Sequence, residues 1–103
     1  MRIRKLLLAA AAAAPLAAPA QTPDALYLRS LAATCANCHG TNGHATSGSA
    51  VPGLAGMPRE YMLRQLAAFR DGSRPATVMH QIAKGYSQAQ LDQIAGYFAA
   101  QKK

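Results

Sequence analysis

The chain has 103 residues, 11 of them Lys or Arg against four Asp or Glu, for a formal charge of +7, and only two cysteines. That length sets the scale at one small domain. The basic residues form no run beyond Lys102-Lys103 outside the N-terminus, which argues against nucleic acid as a partner.

Arg2, Arg4 and Lys5 precede an apolar stretch from Leu6 to Ala14, and Ala18-Pro19-Ala20 offers a small-residue cleavage site. The pattern predicts a secretory signal over residues 1–20, a functional domain over 21–103 and export across a bacterial inner membrane to the periplasm. Residues 6–20 are interrupted by Pro15 and Pro19 and fall short of the ~20 apolar residues a membrane span needs. No cysteine stands at the cleavage point to take a lipid, and Arg2 and Arg4 are not the adjacent pair of a twin-arginine signal. Removing Arg2, Arg4 and Lys5 leaves eight basic residues against four acidic ones, or +4. A surface of modest positive charge suits an acidic protein partner.

Asp24 is a helix-capping residue ahead of Leu28, Leu31, Ala32 and Cys35, which repeat on one helical face. That stripe leads into Cys35-Ala36-Asn37-Cys38-His39, a CxxCH run with the spacing of a c-type haem attachment site. Each thiol adds across a haem vinyl group as a thioether, and the following imidazole is the proximal iron ligand. A domain this small has little core, and a buried, covalently held macrocycle would be its staple. Two other readings use the same cysteines. Zinc would draw on Cys35, Cys38, His39 and His44, a spacing unlike the paired ligand sets of structural sites. A disulfide suits an exported chain but leaves His39 and the segment after it without a role.

Residues 40–56 are rich in Gly, Ser, Thr and Asn, with Val51-Pro52-Gly53-Leu54 as an apolar island. A loop of that length in a small domain is expected to line a ligand, here the haem edge. Pro52 has a free carbonyl, which is placed to accept the Nδ1–H of His39 and orient the ring; a simple turn proline is the alternative. Pro58 opens a second helix running to about Arg70, with Met62, Leu66 and Phe69 on its apolar face. Its arginines are solvating by default, with Arg59 and Arg70 as candidates for a propionate contact. Residues 77–83 form one or two helical turns closed at Gly85. Ser87 and Gln90 form a capping box for a last helix whose Leu91, Ile94, Ala95 and Phe98 share one face. Gly96 inside that helix predicts a close backbone approach by the first helix.

The face of the iron opposite His39 has Met57, Met62, Met79 and His80 as candidates, with His44 too close to His39 in sequence to reach it. Met62 falls on a helical core stripe, and Met57 sits at a junction where it suits stapling the next helix. Met79 comes late, between two helices, where a segment crosses the distal face after the chain has wrapped the haem. It is the favoured ligand, and its neighbour His80 points about 100° away on a helical turn. Metal ligation is thus assigned to His39 and Met79, and cofactor binding to Cys35, Cys38, His39 and Met79. A thioether favours ferrous iron and closes the site to oxygen, which describes one-electron transfer and not an enzyme. Dissociation of Met79 would instead make a gas-binding sensor.

From Leu31-Ala32-Ala33-Thr34-CANCHG through Pro52-Gly53-Leu54-Ala55-Gly56, Tyr61, Gln65-Leu66 and Phe69 to Tyr97-Phe98, the chain resembles a class I cytochrome c. The stretches "RPATVM" and "IAKGYS" are similar to the haem subunits of flavocytochrome c sulfide dehydrogenases and to domains of dihaem cytochromes. The resemblance implies an all-α fold of about four short helices around one haem c, with crossing first and last helices. It implies Met79 as sixth ligand, at the family's spacing before Ser87, and a flavoprotein subunit as electron donor. A freely diffusing carrier between respiratory partners would bear the same signals. In one departure, residues 25–34 lack the glycine that relatives often place at the helix crossing.

Overall fold

A computed structural model describes residues 11–16 and 22–103. The expected secretory signal and its cleavage point fall largely on residues 1–10 and 17–21, outside the described residues. Among the described residues the structure is all-helical: α1 (Pro23–His39), a short 3-10 turn (Thr41–Gly43), α2 (Arg59–Asp71), α3 (Met79–Lys84) and α4 (Gln88–Ala99). None of these helices is long and apolar enough to cross a membrane.

α1 starts two residues earlier than Asp24 suggested. Thr22 is the N-cap, its hydroxyl accepting from the Ala25 N–H at 3.1 Å, with Pro23 at the first helical position and Asp24 in the first turn. A proline at that position gives up an N–H that would be unpaired anyway, and an aspartate there complements the positive end of the helix. Pro58 likewise caps α2 from outside instead of opening it. The capping box of α4 is complete: Ser87 accepts from the Gln90 N–H, and the Gln90 side chain accepts from the Ser87 N–H.

The core is small and lies where α1, α2 and α4 meet. Leu31 and Ala32 from α1, Met62 from α2 and Ile94, Ala95 and Phe98 from α4 form one buried cluster. Phe98, fully enclosed, is its largest member. The α1–α4 contact explains how a chain without a glycine in residues 25–34 lets these helices approach: Ala32 and Ala95 are the small buried residues there. Gly96 does not serve that approach. A Cβ added to it would meet only the Arg59 Nε, at 3.9 Å, so the glycine faces a flexible side chain and not the α1 backbone.

Candidate haem site

Cys35, Cys38 and His39 occupy the last turn and a half of α1. At i, i+3 and i+4 they share one helical face, so a single element presents all three groups together. The helix then stops abruptly, because Gly40 takes φ +86° and its N–H closes on the Ala36 carbonyl at 2.9 Å. A Cβ at position 40 would lie 2.0 Å from the His44 carbonyl oxygen, so only glycine fits immediately after the motif.

The loop that follows is closed by the far end of the chain. Gly43, buried at φ +79°, accepts at its carbonyl from the Leu54 and Ala55 N–H groups, 2.8 and 3.1 Å away. The Gly56 N–H donates to the Phe98 carbonyl at 2.9 Å, and the Tyr97 hydroxyl donates to the Asn42 side chain. These bonds fold residues 43–56 back so that the Pro52 carbonyl lies 2.7 Å from His39 Nδ1. A carbonyl only accepts, so Nδ1 carries the proton and Nε2 is left with its lone pair free. His39 itself is buried, 8% exposed.

Both cysteines are free thiols. Burial pushes the Cys35 thiol above its ordinary pKa. Dithiol redox chemistry needs the reverse, a thiol shifted towards thiolate. Zinc chemistry has no support either: among the described residues no three His, Cys, Asp or Glu side chains converge. His44 is turned away, its Nε2 donating to the Lys102 carbonyl at 2.6 Å.

Met62 is 4% exposed and belongs to the core cluster, and Met57 packs half-buried against it. Met79 is the first residue of α3, half-buried and outside that cluster. It stands on a different element from His39. His80, next to Met79, is the other candidate in α3. It is half-buried where α3 packs on α2, with Nδ1 enclosed and without a hydrogen-bond partner. Arg59 pairs with Glu60 at 2.9 Å and Arg70 donates to Gln88 at 3.3 Å, so neither of the arginines considered for a propionate is uncommitted.

The donor set fits a c-type haem: two unbonded thiols and an oriented imidazole on one helical face. The segment around Met79 also exposes apolar surface, with Val78 at 51% and Ile82 at 40%, of the kind an apolar macrocycle covers. Residues 28–101, most of the chain, match the family described as cytochrome c. The chain belongs to the cytochrome c family.

Membership brings one covalently attached haem c as the cofactor and electron transfer, not catalysis, as the family's chemistry. Over 68 residues the cytochrome is 44% identical to the "Cytochrome subunit of sulfide dehydrogenase" of Chlorobaculum tepidum, covering 66% of this chain and 60% of that protein. It is 41% identical to a "Thiosulfate dehydrogenase electron acceptor" of Thiomonas intermedia, over 69% of this chain and 33% of that one. It is 37% identical to "Cytochrome c4" of Pseudomonas aeruginosa, over 77% of this chain and 39% of the relative. The cytochrome thus spans less than two thirds of the length of each of these relatives.

The sequence pointed to the shared helical face of Cys35, Cys38 and His39 and to the Pro52 carbonyl as the partner of His39, and the structure has both. Sequence reasoning missed Tyr86, which reaches the Thr34 hydroxyl beside Cys35 from the end of α3. A tyrosine following the glycine that closes a short helix was the only available signal.

Proposed function

We propose that residues 21–103 are an exported, periplasmic one-electron carrier, with residues 1–20 as its secretory signal. Cys35 and Cys38 bind the haem through thioethers, His39 ligates the iron through Nε2, and Met79 is the sixth ligand. The observation that carries this reading is the motif held on one helical face with its imidazole oriented by Pro52. When bound, the haem supplies an iron that alternates between ferric and ferrous states.

The chain's residues do the rest. The bond from His39 Nδ1–H to the Pro52 carbonyl, 2.7 Å long, fixes the ring and raises the donor strength of Nε2. The Met79 thioether is soft and favours the ferrous state. With His39 and Met79 both serving as ligands, the haem would have no position left for a substrate, which suits electron transfer. Met62 and His44 are both engaged elsewhere, in the core and with the Lys102 carbonyl, which leaves Met79 as the late thioether outside the core.

The partner we infer is a flavoprotein that oxidises sulfide and passes electrons to this haem, a reading supported by the likeness to the Chlorobaculum protein. The charge pattern agrees: among the described residues the one ion pair is Arg59–Glu60, so most basic side chains are available to an acidic surface. A freely diffusing carrier is the second reading, supported by the likeness to cytochrome c4. Affinity purification from the native periplasm separates them. A stoichiometric flavoprotein co-purifies if this chain is a subunit, and a monomer without one rules that assignment out.

A further inference from the structure

The Thr34 hydroxyl stands among three groups. It is 2.7 Å from the Leu31 carbonyl oxygen, within hydrogen-bond reach of the Tyr86 hydroxyl, and 3.9 Å from Cys35 Sγ. A threonine hydroxyl has one proton, and a carbonyl can only accept. Thr34 therefore donates to Leu31, and Tyr86 must donate to Thr34. The result is a directed chain, from Tyr86 O–H to Thr34 Oγ1 and from Thr34 O–H to the Leu31 carbonyl. It joins residues 52 apart in sequence. One end lies in α1 next to Cys35, and the other lies just past Gly85, which caps the C-terminus of α3.

α3 packs on α2, but its N-terminal end has little to fix it. The helix is six residues long, no side chain caps its N-terminus, and Ala83 is its only buried residue. Gln81, Ile82 and Lys84 are exposed. Tyr86 packs against the core cluster, as Cys35 does, so its ring is anchored and its hydroxyl is aimed at α1.

We propose that the Tyr86–Thr34 hydrogen bond tethers the α3 strap to the Cys35 end of α1, making Tyr86 a positioning residue for Met79. This rests on Met79 being the sixth ligand. An added ligand such as imidazole competes with the thioether for one coordination position, so loosening the strap favours the competitor. Tyr86→Phe keeps the ring and removes only the donor.

Imidazole titration of the ferric holoprotein, followed through the main haem absorption band and, where Met79 is present, through the methionine-to-iron charge-transfer band, tests the tether. Its affinity is expected to rise roughly fivefold in Tyr86→Phe, the ratio that the net worth of one hydrogen bond corresponds to. Thr34→Val should match that rise, Thr34→Ser should retain wild-type affinity, and the Tyr86→Phe, Thr34→Val double variant should rise no further than either single one. In a Met79→Ala background Tyr86→Phe should leave imidazole affinity unchanged, because no thioether remains to compete. A wild-type affinity in Tyr86→Phe, even with altered thermal stability, overturns the tether. So does an equal rise in the Met79→Ala background. Persistence of the charge-transfer band in Met79→Ala with Tyr86 intact overturns the ligand assignment instead.

Discussion

The end of α1 that carries Cys35, Cys38 and His39 is held by directed hydrogen bonds, whereas the helix that carries Met79 is held by packing on α2. The first is the end of a 17-residue helix, its imidazole buried and fixed by Pro52, and the loop supplying that carbonyl is held under Phe98. The second is the opening residue of a six-residue helix without a side-chain cap, beside an exposed valine. The difference assigns separate duties. On the proposed ligation, the α1 side would keep the cofactor attached and oriented, while a change of ligation would start at the Met79 side, where no side-chain cap holds the helix end.

Removing both thiols is the severest way to test that division. Cys35→Ala with Cys38→Ala is expected to abolish all haem colour that survives acid-acetone extraction, and pigment persisting after extraction would break the comparison. Met79→Ala comes next. It should keep the covalent pigment while losing the methionine-to-iron charge-transfer band, admitting carbon monoxide to the ferrous protein and lowering the reduction potential in a redox titration. A variant that instead lost its pigment would show the strap to be as structural as α1.

Smaller changes sharpen the boundary. Phe98→Ala empties the centre of the core and should cost about 3–5 kcal/mol, read as a lowered denaturant midpoint. Gly43→Ala forces a side chain into φ +79°, with a Cβ 2.7 Å from the Ala55 nitrogen and 2.9 Å from Phe98 Cδ1. A loss of about 1–3 kcal/mol is expected, with imidazole affinity unaltered because the damage stays on the His39 side. A large change in imidazole affinity there would join the two regions into one. Gly96→Ala, outside both regions, meets only the Arg59 side chain and should stabilise α4 by up to about 1 kcal/mol in the same denaturation assay.

What the sequence disclosed was what neighbouring residues enforce on one another. CxxCH is one turn of helix, Ser87 and Gln90 satisfy each other across one turn, and the face of Leu91, Ile94, Ala95 and Phe98 shows at helical period. The His39–Pro52 bond was legible because a proline can offer only its carbonyl. The misreadings came where two local rules competed or where the partner was remote. Asp24 is a good cap, but Thr22 followed by Pro23 is a better start. Gly96 suggested a helix crossing that two alanines, far apart in sequence, perform. Tyr86 and Thr34, like Tyr97 and Asn42, are more than 50 residues apart, and no periodicity links them.

The loop closure described around Gly43 also sets an order of events during maturation. His39 meets the Pro52 carbonyl only through a loop whose two ends rest on Phe98, near the C-terminus of α4. A nascent chain that has emerged only through α2 already carries both thiols and the imidazole but has nothing to choose between the ring's two tautomers. Thioether formation can therefore precede folding, whereas the imidazole acquires its final orientation only when the last helix docks. A helix synthesised well after the motif completes the setting of its imidazole.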